Sequence, residues 1–177
     1  AEDALRKLEG TAFEGQARLA RLAIYERSRE WPQARQVAEQ LESSGEVSFS
    51  VRKAHYVCEQ ARELNAQGDS AAAAQLLITA IQAAPDAPRP RLLLGQLQLN
   101  MNQAAQACDT LSQLFESGSV AAPLAAPSLV RAAQAANCVP QTLNLFKAHY
   151  AQSPCIDVMD AIVSLEKSSA DNEAQTR

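Results

Sequence analysis

Apolar residues recur along most of this chain at the spacing of a helix. In the stretch GDSAAAAQLLITAIQAAP, residues 68–85, Ala73, Leu77 and Ile81 follow one another at four-residue steps, which places them on one side of a helix. The chain contains no alternating run of Val, Ile and Thr of the kind that half-buried strands show. The pattern predicts helices near residues 1–10, 14–29, 32–43, 49–67, 70–84, 89–101, 104–117, 124–136, 140–152 and 155–167.

The same order of small and large residues returns about every 34 residues. Ala34, Ala73 and Ala107 align at one position of this repeat, and Ala61 and Gly95 align at another. Two helices approach closely where side chains are small, so we expect each repeat to be a helix pair packed through these positions. A helix–turn–helix unit of 34 residues is typical of tetratricopeptide repeats. The predicted fold class is therefore an all-α tetratricopeptide-repeat α-solenoid, a right-handed superhelix of antiparallel helix pairs.

The turns between paired helices fix the register of the repeats. Arg29, Gly68, Asn102 and Asn137 align at these turns, and Trp31 is expected to pack across the first of them. The chain begins in the second helix of a repeat, so we expect it to be part of a longer protein. The predicted organisation is one tetratricopeptide-repeat domain over 1–167, with a partial repeat at 1–13, repeats near 15–48, 54–87, 88–121 and 123–156, an end helix at 155–167, and a disordered tail at 168–177.

Composition excludes several classes of function. The net charge of −4 disfavours binding to nucleic acid, which needs clustered Lys and Arg. No apolar run approaches the roughly 20 residues of a membrane span. The four cysteines have no C-x-x-C spacing, so we interpret them as free thiols of a reducing compartment, with a zinc site or a disulfide pair as the alternatives.

Catalytic motifs are absent from the sequence as well. The two histidines, His55 and His149, are far apart in the chain, and the sequence has no H-E-x-x-H, no Gly-rich phosphate loop and no G-x-S-x-G. We therefore expect a non-enzymatic protein without catalytic residues, and these 177 residues to hold no metal or cofactor.

The candidate binding residues follow from the repeat geometry. The first helix of each pair lines the concave face of such a stack, which is a protein- or peptide-binding surface. Arg62 and Arg131 are candidates to hold carboxylates by paired hydrogen bonds, and Asn65 and Asn100 to clamp a peptide main chain. By register, the solvent-facing positions of the first helices are Glu26, Arg27, His55, Glu59, Arg62, Asn65, Arg89, Gln96, Asn100, Arg131 and Gln134.

Three segments resemble one known family. They are YERSREWPQARQVAEQLE, KAHYVCEQARELNAQGD and PRPRLLLGQLQL, and together they resemble the repeat region of the lipopolysaccharide assembly protein B family. The resemblance covers roughly residues 15–155. Its most specific parts are the turn at residues 30–34, EWPQA, and the helix at residues 54–59, AHYVCE.

The resemblance implies a place and a role. In that family an N-terminal helix anchors the protein in the inner membrane of Gram-negative bacteria, the repeats lie on the cytoplasmic side, and a rubredoxin-like module that binds zinc or iron follows them. The family acts as an adaptor. It helps an FtsH-type membrane protease degrade the deacetylase that commits lipid A synthesis.

The resemblance has limits within this sequence. The 177 residues contain neither the membrane helix nor the paired C-x-x-C motifs of the metal module. The repeat around AANCVPQT also departs from the pattern, with Thr142 where Ala is usual and His149 where a small residue is usual.

Two other functions stay open at this point. The repeats are also compatible with a non-catalytic arm of a glycosyltransferase or another multidomain enzyme. A dimerising scaffold is the third interpretation, because the half-repeat at residues 1–10 leaves an uncapped apolar face through which two copies would self-associate.

Overall fold

The computed structural model describes residues 2–8, 10–45 and 48–175, and these residues contain helices and turns but no strand. The predicted all-α class is confirmed. The helices are α1 (Glu2–Arg6), α2 (Glu14–Ser28), α3 (Trp31–Ser44), α4 (Ser50–Ala66), α5 (Ser70–Ala83), α6 (Pro88–Asn100), α7 (Ala104–Glu116), α8 (Ala122–Ala136), α9 (Val139–Gln152) and α10 (Ile156–Gln175).

The chain divides into two compact units. The first unit is Ala1–Pro90 and the second is Arg91–Arg177, so the division falls inside α6. In the first unit α2 packs on α3, α3 on α4 and α4 on α5. In the second unit α7 packs on α8, α8 on α9, and α10 on both α8 and α9.

Backbone geometry at the turns supports the predicted register. Arg29, Gly68, Asn102 and Asn137 have φ values of 59°, 92°, 59° and 55°. A left-handed residue after the last turn of a helix reverses the chain and lets its amide bond back to the helix carbonyls. Four sequence positions that align in the repeat thus perform the same task, which is to join the first helix of a pair to the second.

Small residues occupy the tightest contacts within the helix pairs. Ala34, Ala73 and Ala107 are fully buried. Gly95 in α6 faces Leu111 in α7 so closely that a β-carbon on Gly95 would lie 2.4 Å from Cγ and Cδ2 of Leu111. The predicted packing of each pair through small side chains is therefore present in both units.

The substitution Ala73→Leu tests this packing in the first unit. Ala73 has no exposed surface, so three added carbons have no space, and we expect a loss of about 1–3 kcal/mol in the free energy of unfolding. Urea denaturation followed by circular dichroism measures it. Ala71→Leu places the same side chain at an exposed position of the same helix and serves as the control. Equal stability of the two variants would contradict the packing.

Two helix ends differ from the predictions. Helix α1 ends at Arg6 and not near residue 10. Residues 7 and 8 form a turn, and Gly10 further along has a left-handed φ of 77°. Helix α10 continues to Gln175, so residues 168–175 are helical and not the predicted disordered tail. Neither Gly nor Pro interrupts α10, and the hydroxyl of Ser168 donates to the carbonyl of Ser164 within it. Residues 176 and 177 lie outside the described residues.

Each unit has its own apolar core. Leu22, Trp31, Val37 and Tyr56 are among the buried residues of the first. The core of the second unit includes Leu111, Phe115, Leu129, Phe146 and Leu165. Among the helices that the structure describes, none is both long and apolar enough to cross a membrane.

Candidate protein-binding surface

Three aromatic rings meet where α3 begins beside α4. The Trp31 ring stacks on Tyr56 with centroids 6.2 Å apart and planes 19° apart. His55 meets Trp31 edge-on at 6.0 Å and Tyr56 at 5.9 Å. Trp31 and Tyr56 are buried while His55 is exposed, so the two larger rings hold the imidazole at the surface. We call Trp31, His55 and Tyr56 the aromatic cluster.

Carboxylates on two first helices accept hydrogen bonds from this cluster. The indole Nε1 of Trp31 donates to Oε1 of Glu63 at 2.8 Å, and the hydroxyl of Tyr56 donates to Oε1 of Glu26. Burial, followed by the bond to Glu26, raises the pKa of Tyr56 well above its usual value, so the phenol remains a donor. Glu26 in α2 is thereby tied to α4.

A second polar contact joins α4 to the start of α6. The guanidinium of Arg89 forms an ion pair with Oε1 of Glu59 and donates to Nδ1 of His55. Arg62 lies 3.7 Å from the other oxygen of Glu59 and keeps 63% of its side chain exposed. The geometry therefore divides the predicted residues: Glu59, His55 and Arg89 stabilise the surface, and Arg62 projects from it.

An open cavity of about 520 Å³ lies beside these contacts, within the first unit. One wall is the N-terminal part of α4, where Val51 is 76% exposed. The opposite wall is the proline-rich connection from α5 into α6. We call this space the α4 cavity, and its lining consists of Ser50, Val51, Ala54, His55 and residues 83–90.

The remaining predicted residues of the first unit have different environments. Arg27 is exposed near the end of α2. Asn65 is also exposed, but its side-chain oxygen accepts a hydrogen bond from Ser70 at 2.7 Å across the turn into α5. The local role of Asn65 is thus to fasten that turn, which the prediction of a peptide clamp did not anticipate.

Four predicted residues belong to the second unit. Gln96 is half-buried in α6, and Asn100 at its end is exposed. Arg131 is exposed on α8. The amide of Gln134 donates to the hydroxyl of Ser168 at 2.7 Å, so Gln134 links α8 to α10 within that unit.

Sequence reasoning missed several residues of the surface. It selected positions that point to solvent, whereas Tyr56 and Trp31 shape the surface from beneath. It did not select Pro85 and Pro88, which line the α4 cavity. The segment APDAPRP, residues 84–90, carries a usable signal in the sequence. Its alanines and prolines form an apolar connection with few polar side chains.

The four cysteines are free thiols. Cys58 and Cys108 are buried, and burial raises the pKa of Cys58 to about 11 and that of Cys108 to about 12. These two thiols therefore stay protonated and unreactive at neutral pH. Within the described part of the chain, no three His, Cys, Asp or Glu side chains are grouped as metal ligands would be.

The comparisons with known proteins agree with a fold built from helix pairs. A family model for the tetratricopeptide repeat matches residues 64–136. The solved structure "MamA MSR-1 C2" is similar at a TM-score of 0.50 and 16% identity, over 92% of this chain and 91% of that chain. A mutant of MamA is similar at the same TM-score and identity, over 92% of both chains. None of the curated proteins compared with the chain matches it.

The identity to the MamA structures is low, so their likeness concerns the fold alone. Together with the family model, it confirms the predicted fold class. Proteins of this class bind other proteins through their stacked helices. The chain therefore contains a tetratricopeptide-repeat region, a protein-interaction module built from helix pairs.

Proposed function

We propose that the chain is the protein-binding repeat region of a non-catalytic adaptor, and that the first unit binds its partner beside the aromatic cluster. One observation carries this proposal. The EWPQA turn at 30–34 and the AHYVCE helix at 54–59, the two segments most specific to the lipopolysaccharide assembly protein B resemblance, pack against each other through Trp31, His55 and Tyr56. The residues most specific to the resemblance thus cluster at one place in the first unit.

The more specific role follows from that resemblance. The adaptor brings the deacetylase of lipid A synthesis to an FtsH-type protease at the cytoplasmic side of the bacterial inner membrane, and so regulates lipopolysaccharide synthesis. The repeats supply the binding surface, while the membrane anchor and the metal-binding module belong to other parts of such a protein.

The surface offers two kinds of contact to a partner segment. The α4 cavity is walled by Val51, Ala54 and Pro85, and its volume is large enough to take apolar side chains of a partner segment. Arg62 provides an exposed guanidinium group beside Glu59, which pairs with Arg89 of the cavity lining, and Arg27 is exposed on α2. Because the contact from Arg62 to Glu59 is long and exposed, it contributes little to stability, and Arg62 can turn to a partner's carboxylate.

Charge reversal at two first helices tests the proposal. We expect the double variant Arg27→Glu, Arg62→Glu to capture the protease and the deacetylase from detergent-solubilised membranes roughly tenfold less well than the natural sequence. Both arginines are exposed, so the melting temperature should not change. Arg35→Glu is the matched control, since Arg35 lies on the second helix α3 and forms an i,i+4 ion pair with Glu39.

Unchanged capture by the double variant would contradict the surface. Capture of neither protein by the natural sequence would favour the alternative, a repeat arm of a multidomain enzyme.

A further inference from the structure

Two thiols from different helices meet in the second unit. Cys108 lies in α7, and Cys138 immediately precedes α9, which packs on α7. Sγ of Cys108 lies 3.7 Å from Oγ1 of Thr142, and Sγ of Cys138 lies 3.9 Å from the same oxygen. The two sulfur atoms are therefore no farther apart than the sum of these two distances. We call Cys108, Cys138 and Thr142 the thiol cluster.

The two thiols of the cluster also contact each other directly. Burial, followed by a hydrogen bond to Cys138, raises the pKa of the Cys108 thiol. Because a bond that raises a thiol's pKa stabilises its protonated form, Cys108 donates and the sulfur of Cys138 accepts. An S–S bond of about 2 Å is thus within reach of side-chain rotation.

Solvent reaches the thiol cluster through an open groove between α7 and α9. The groove has a volume of about 650 Å³, and Cys108, Cys138 and Thr142 all contribute to its lining. Cys138 is half-buried, whereas Cys108 and Thr142 are buried. A small molecule in the groove therefore meets Cys138 first, while burial and protonation protect Cys108.

We propose that the thiol cluster is a site of reversible oxidation, at which hydrogen peroxide converts Cys108 and Cys138 into a disulfide. The bond joins α7 to the start of α9. These are the second helices of two successive pairs, so the disulfide fixes the spacing of the two pairs within the second unit. This site is separate from the partner-binding surface proposed for the first unit.

The oxidation has two steps. Cys138 loses its proton and its sulfur attacks one oxygen of the peroxide, the O–O bond breaks, and the leaving hydroxide takes up that proton as water. Cys138 is thereby oxidised by two electrons to a sulfenic acid. The sulfur of Cys108 then attacks that of Cys138, the S–O bond breaks, and the leaving hydroxide takes up the proton of Cys108. Two thiols and one peroxide thus give one disulfide and two waters.

Peptide mapping of the full chain after treatment with limiting hydrogen peroxide tests this site. The oxidised chain should lose two of its four free thiols and migrate as a monomer on a non-reducing gel. Trypsin should release the peptides 92–131 and 132–147, which contain Cys108 and Cys138, joined to each other. Dithiothreitol should separate them, because the disulfide is reversible. The peptides 54–62 and 148–167, with Cys58 and Cys155, should stay reduced.

Single substitutions test the order of the two steps. In Cys108→Ala the sulfenic acid on Cys138 has no thiol to condense with, so dimedone should label it, whereas in Cys138→Ala dimedone should not label Cys108. Cys155→Ala is the matched control, since it removes another half-buried thiol of the second unit and should form the disulfide like the natural sequence. Absence of the joined peptides, a bond between two copies, a bond to Cys58 or Cys155, or dimedone labelling of Cys108 in place of Cys138 would each overturn the proposal.

Discussion

Replacing Trp31 by Ala should lower the free energy of unfolding of the first unit by about 3–5 kcal/mol. Trp31 is 8% exposed, stacks on Tyr56 and donates a hydrogen bond to Glu63. Its loss leaves a cavity between α3 and α4 and removes the support of His55. The same substitution should also weaken partner binding, because the aromatic cluster shapes the surface.

Urea denaturation followed by far-ultraviolet circular dichroism is the suitable measurement, since Trp31 is the only tryptophan and the variant has no indole fluorescence. Trp31→Phe is the matched control. It keeps an aromatic ring against Tyr56 and loses the indole N–H, so it should cost markedly less, about 1–2 kcal/mol. A loss below about 1 kcal/mol for Trp31→Ala would show that the turn does not depend on this ring.

Replacing Phe146 by Ala should destabilise the second unit by a similar amount, about 3–5 kcal/mol. Phe146 has no exposed surface, and its ring meets that of Phe115 at 5.0 Å and 62°. Alanine would remove this edge-to-face contact and leave a void among α7, α8 and α9.

Thermal and urea unfolding of Phe146→Ala can be compared with those of Val120→Ala. Val120 is almost fully exposed, so its truncation should change stability by less than about 0.5 kcal/mol. If the two variants unfolded at the same urea concentration, Phe146 would not belong to a packed core.

Much of the fold follows from local patterns. The alignment of Arg29, Gly68, Asn102 and Asn137 was sufficient to place four turns, because a helix that reverses within two or three residues needs a left-handed residue at that point. Burial of Ala34, Ala73 and Ala107 follows from the same repeat. Each inference depends on neighbours in sequence and on one constraint, that paired helices approach through small side chains.

The contacts of the candidate site did not follow from local patterns. Tyr56 bonds to Glu26, and Arg89 to Glu59, each across 30 residues. Such pairs depend on how successive helices are rotated and offset, which periodicity does not specify. The sequence placed Glu26, Glu59 and Arg89 on solvent-facing positions, and the structure shows that they bond to residues of their own unit.

Amino-acid composition gave the wrong prediction for the residues after 167. The polar composition after residue 167 resembles a tail, but Ser169 donates to the carbonyl of Leu165 inside α10. Because serine, alanine and glutamate are all compatible with a helix, composition alone did not separate a solvated helix from disorder.

Site-specific photocrosslinking in intact Gram-negative cells tests the partner-binding surface most directly. A photoreactive amino acid is placed either at the position of Arg62, on the first helix α4, or at that of Arg35, on the second helix α3. We predict a crosslink from position 62 to the FtsH-type protease or to the lipid A deacetylase, and none from position 35. No crosslink from position 62, or equal crosslinking from position 35, would contradict binding through the surface beside the aromatic cluster.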